Sequence, residues 1–131
     1  MPGAVVLIYH MAAQRQAALQ GLCFSMGIRA LPVPDWMARC SIGALSGVPD
    51  HAQDLSELVK GPAAIDEEMI VMAGFTEDLF NSFLAELRDM SLRIELKAVQ
   101  TETNLKWSGE MLQAELKRER EIFRKMTENR R

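Results

Sequence analysis

Reactive side chains are scarce in this sequence, and their scarcity removes whole classes of chemistry. There are two cysteines and two histidines in 131 residues. Cys23 and Cys40 form no Cys-x-x-Cys pair and have no histidine at zinc-ligand spacing, so neither a zinc ribbon nor a redox pair can be read. His10 and His51 lie forty-one residues apart, poor material for a metal centre, and no metal is expected. No glycine-rich phosphate loop of the dinucleotide or Walker type occurs. Nor is there a Gly-x-Ser-x-Gly elbow or a His-Glu-x-x-His helix. Ser41 and Ser46 have no identifiable base partner. The sequence therefore assigns no catalytic residue and no cofactor.

Long apolar runs are also missing. The longest near the start, Ala4 to Ile8, is too short for a signal core, and no basic segment precedes it. No stretch approaches the ~20 residues of a membrane span. A cytoplasmic protein with reduced thiols and no membrane partner is expected. Charge is present but divided. Residues 1–114 hold eight Lys/Arg against fourteen Asp/Glu, whereas residues 115–131 hold seven against four. The acidic body repels a phosphate backbone. The basic tail has Phe123 as its single aromatic residue and acids among its cations, a solvated helix face rather than a nucleic-acid contact.

What is present is an alternation of strand and helix in a chain sized for one α/β domain, 1–131. Two continuous apolar runs, 4–9 and 69–73, suit strands covered on both faces. Between them, 11–26 has helical spacing, Gly27 stops the helix, and 28–33 is a strand whose Pro32 marks a sheet edge. Ile42 to Leu45 opens a short helix, while 51–60 reads as either helix or loop, and 48–64 is expected to be the most mobile internal region. Thr76 caps a strongly amphipathic helix with the stripe Leu79, Phe80, Phe83, Leu84, Leu87 and Met90. The alternation over 94–99 suits an edge strand. Ser108 caps a final amphipathic helix, 109–131, whose basic end is expected to fray. No internal repeat is visible.

Two strand–helix–strand units imply a four-stranded parallel sheet of order 2-1-3-4, flanked by helices, with the first two long helices on opposite faces. In such a sheet the strand carboxyl ends meet at one edge, where ligands bind. That edge would hold His10, Asp35, Gly74, Thr101, Thr103, Asn104 and Trp107. Each residue also has a plainer reading. His10 could be a structural hydrogen-bonder, Asp35 and Gly74 turn residues. Thr101, Thr103 and Asn104 could brace their own loop while Trp107 packs under the final helix.

The run Leu96-Lys97-Ala98-Val99, Thr101, Thr103-Asn104, Trp107, Leu112 and Glu115-Leu116 resembles the C-terminal signature of a small bacterial family of unknown function. Gly27-Ile28-Arg29, Ile42 through Gly47 and Met69 through Gly74 agree in order. The resemblance spans residues 4–118, and Glu102 departs from it where the family often has proline. It implies a bacterial cytoplasmic protein and brings no catalytic residue with it. Two functional classes remain. One is a non-enzymatic module binding a small molecule or a protein, as a homodimer or with another partner, through the strand-end edge or the 41–60 segment. The other is a small enzyme with His10, Asp35 and Asn104 at the strand ends.

Overall fold

A computed structural model describes residues 3–48 and 65–128. The elements run β1 Val5–Tyr9, α1 Ala13–Ser25, β2 Arg29–Val33, α2 Ile42–Ser46, β3 Met69–Ala73, α3 Glu77–Asp89, β4 Leu96–Val99 and α4 Gly109–Glu128. The sheet order is 2-1-3-4, as the apolar and edge patterns predict. Residues 49–64, which include most of the segment expected to be mobile and the ambiguous 51–60, lie outside the described residues.

One strand pairing differs from expectation. β1 with β2 and β3 with β4 are parallel, but β1 and β3 are antiparallel, with Leu7 opposite Val71 at the centre of the seam. The sheet is mixed. The direction of β3 follows from the end of the sheet at which the connection from β2 returns. The chain comes back into the sheet at the end where β1 and β2 finish, because Glu68, just before β3, shares a depression with His10 and Asp35.

The reversal also moves a helix. A right-handed crossover changes face when the order along the sheet reverses, and changes back when the strand direction reverses too. Accordingly α1 and α3 pack on the same face rather than on opposite ones. Val6, Ile8, Ile70 and Met72 are buried there beneath Leu19 and Cys23 of α1 and Phe83 and Leu87 of α3. Val5, Leu7, Tyr9, Met69 and Val71 fill the other face with Ile42 of α2 and Leu112 of α4. Burial of both faces explains why β1 and β3 read as unbroken apolar runs.

The two halves of the sheet are a structural repeat. Offset by the 64 residues from Val5 to Met69, the bounds of β1 and α1 match those of β3 and α3, both helices having 13 residues, while β4 starts three residues later than β2 does on that offset. Positive φ recurs at paired positions, His10 (+53°) with Gly74 (+73°) and Gly27 (+71°) with Ser91 (+56°). The seam obeys the same symmetry, since Leu7 and Val71 are both equivalent and opposite. A two-fold relation normal to the sheet passes between them. The sequence hides this repeat because packing preserves burial and not identity. Between 5–28 and 69–92 only Met26 and Met90 are identical.

Helix ends follow their chemistry. The Thr76 hydroxyl accepts from Leu79 N–H at 3.1 Å and Ser108 from Met111 N–H at 3.1 Å. On β2, Arg29 N–H donates to Ala4, so Ala30 and Pro32 face outward, and the missing Pro32 donor lies on the open edge. Beyond Arg120, residues 121–128 of α4 are all exposed. No helix among the described residues is long and apolar enough to cross a membrane.

Candidate functional site

The mixed sheet divides the expected site between two ends. β1 ends at Tyr9, and the left-handed His10 swings its ring towards Asp35, which opens a short 3-10 turn after Pro34. Nδ1 of His10 lies 3.0 and 3.2 Å from the Asp35 carboxylate oxygens. Met11, Ala12 and Glu68 complete an open depression. Glu68 is held by a bidentate Arg15, both bonds at 2.8 Å, whose guanidinium also reaches the Arg93 carbonyl. His10 and Asp35 are 41% and 51% exposed, so water screens their attraction. Among the described residues no Ser, Thr, Cys or Lys lines the depression, so none of them is a neighbouring group for the pair to activate.

Gly74 lies at the other end of the sheet. A Cβ on it would sit 3.0 Å from the Gly3 carbonyl, beside the start of β1. Thr101, Thr103 and Asn104 follow the carboxyl end of β4 on that side. Asn104 is buried and engaged at both ends of its carboxamide, which donates to the Val99 carbonyl at 3.0 Å and accepts from Thr101 N–H at 2.8 Å. Gln100 N–H points inward to Met72, so Val99 and Thr101 face the open edge of β4. The Asn104 side chain thus occupies the place of a peptide group from an absent fifth strand. Thr101 returns the bond, its hydroxyl accepting from Asn104 N–H. Thr103 is exposed and takes no part in these bonds. Trp107 is half-buried against the α4 face, less covered than expected of a core plug, and its carbonyl accepts from Ile42 N–H.

A second carboxamide, missed in the sequence, does similar work. Gln113 of α4 is buried, donates to the Glu67 carbonyl at 2.7 Å and accepts from Asp66 N–H at 3.1 Å. Beside it, Arg120 grips Glu67 at 2.6 and 2.9 Å and Glu95 at 2.8 Å, holding the Glu67 carboxyl below its ordinary range. These contacts aim the chain into β3. Cys23 and Cys40 are free and buried, and burial raises both thiols. No group of three or more metal-ligating side chains occurs among the described residues.

A better-formed concavity lies elsewhere, between the end of α3 and the start of β4. It encloses about 520 Å³, within the roughly 300–1,000 Å³ of small-molecule pockets. Leu84, Leu87, Leu92 and Ile94 make its floor. Ser91, in the left-handed conformation, turns the chain at its side.

Residues 68–123, under half of the chain, match the family described as Domain of unknown function (DUF3783). The match begins at β3 and takes in α3, β4, the Asn104 loop and most of α4. It therefore contains the cleft, Asn104 and Trp107, but not His10 or Asp35. No curated protein and no solved structure matches the chain.

Proposed function

We propose that this protein is a non-enzymatic binding module, a single cytoplasmic α/β domain, that takes a small, largely apolar molecule in the cleft between α3 and β4. The observation that supports this most is the cleft floor of four aliphatic side chains beneath an opening of about 520 Å³. The enzyme alternative has less support. His10 and Asp35 meet, but the carboxamide of Asn104 is spent on its own loop. The test is titration of the full chain with 1-octanol, followed by amide chemical shifts. Shifts confined to residues 84–97, and lost in Leu84→Trp, which fills the cleft, are expected. Shifts elsewhere, or none, would refute the reading.

A second reading, self-association, rests on the free end of α4. Ile122, Phe123 and Met126 are exposed there, Phe123 by 72%. An antiparallel pairing of two copies centred on Phe123 would set Glu121 of one chain against Lys125 of the other, so the surface is self-complementary. Sedimentation should show a concentration-dependent dimer that Phe123→Glu abolishes. A monomer at high concentration would end this reading.

A further inference from the structure

We infer that the α3–β4 cleft is selective for an amphiphilic carboxylate, an aliphatic or aromatic acid whose head group lies between Arg88 and Arg93. This rests on the reading of the cleft as a small-molecule site. The floor is aliphatic, but among the described residues every charged side chain that lines it is a cation: Arg88 at the end of α3, Arg93 in the connection and Lys97 on β4.

Elsewhere on the molecule the arginines are mostly matched. Arg15 is paired with Glu68, Arg39 with Glu110, Arg118 with Glu115, Arg120 with Glu67 and Glu95, and Arg124 with Glu121. Arg88 and Arg93 have no ion pair or side-chain hydrogen bond among the described residues. In a body whose first 114 residues carry an excess of acids, two unmatched guanidiniums at one apolar cleft are a local reversal of charge. Lys97 differs from them, because its ammonium already donates to the Ile94 carbonyl. The two guanidiniums are the groups left to receive a ligand.

The repeat sharpens the case. Ser91 occupies the position of Gly27 in the first half and keeps the left-handed backbone that glycine adopts there freely. The substitution puts a hydroxyl, exposed and without a hydrogen-bond partner among the described residues, at the cleft between the two arginines in sequence. Each unmatched polar side chain of the cleft among the described residues can therefore donate a hydrogen bond. A guanidinium fork matches a carboxylate in two parallel bonds, while the alkyl or aryl body of the ligand covers Leu84, Leu87, Leu92 and Ile94. The ligand is accordingly anionic at one end and apolar at the other.

The experiment compares octanoate with 1-octanol, equal in chain length and different in head group, on the full chain. Octanoate should bind about tenfold or more tightly, as charge-assisted bonds to two arginines imply, with amide shifts over residues 84–97. In the double variant Arg88→Gln/Arg93→Gln, octanoate should fall to the affinity of octanol, and octanol should be unaffected. Both arginines are exposed, so the variant keeps the fold, and an unchanged thermal midpoint verifies this. Equal binding of the two compounds by the unaltered protein, or no loss of octanoate in the variant, would overturn the carboxylate assignment and leave the cleft reading intact. Tighter binding of octyl phosphate than octanoate would overturn it in favour of a phosphate head. Failure of both octanol and octanoate to bind would remove the cleft reading itself.

Discussion

Tyr9 shows how much a single buried atom can decide. Its hydroxyl is the buried side-chain oxygen without a hydrogen-bond partner among the described residues, and burial pushes its ionisation well above the ordinary range. Its ring is tight against α4: a Cβ at Gly109 would stand 2.5 Å from Cε2. Removing the hydroxyl deletes a desolvated group with nothing to lose, so Tyr9→Phe should leave stability unchanged or raise it by up to about 1 kcal/mol. Gly109→Ala drives a methyl into the ring and should cost roughly 1–3 kcal/mol. Denaturant melts separate the two, and a marked loss in Tyr9→Phe would show that the hydroxyl has a partner. Cys23 gives a pH dependence. Burial raises its thiol to about 11. A raised value means that the native state keeps its proton where the unfolded chain has released it. This contribution is complete below the unfolded thiol's pKa, about 8.5, and is lost as pH rises from there through about 11. Melts across that window should show a decline that is shallower in Cys23→Val. A decline of equal steepness in that variant would assign it to other groups.

At the scale of the element, the loop after β4 is held by one side chain. Asn104→Ala leaves the Val99 carbonyl and Thr101 N–H without their partner and removes both side-chain hydrogen bonds of the carboxamide. A loss of roughly 2–4 kcal/mol is expected, whereas the exposed Thr103→Ala should change stability by under about 0.5 kcal/mol. Equal effects would mean that the loop is braced elsewhere. The sequence already carried much of this. Thr and Asn side chains bond locally to backbone, and the spacing of Thr101 from Asn104 announces a closed turn. Caps at Thr76 and Ser108, the edge position of Pro32 and the apolar interiors of β1 and β3 were legible for the same reason: each depends on chemistry within a few residues. Strand direction was not. It depends on which end of the sheet the β2–β3 connection returns to, and neither the apolar run of β3 nor its flanks encodes that. The cleft was hidden because its lining comes from α3, β4 and the connection between them, whose apolar residues each look like ordinary core.

For the whole molecule, the repeat changes what the strand ends mean. A parallel sheet has one carboxyl edge, but here each parallel pair has its own, so His10 with Asp35 and Gly74 with Thr101 stand at opposite ends. The seam between β1 and β3 joins two βαβ halves, and the 34–68 connection alone ties them along the chain. That arrangement exposes a refolding chain to exchange. The first half of one copy can zip onto the second half of another, recreating every seam contact of the monomer in a closed dimer. Entropy offers little resistance, because the penalty for closing a connection grows only slowly with its length. Refolding from denaturant at high protein concentration should therefore trap a dimer with the same spectrum as the monomer, and dilution alone should release it slowly. A refolded product that is monomeric at every concentration would show that the seam forms before the halves can part company. Phe123→Glu, which acts on α4, should leave this exchanged form untouched. Kinetic partitioning at the seam, rather than stability of either half, would then set how much active monomer a cell recovers after stress.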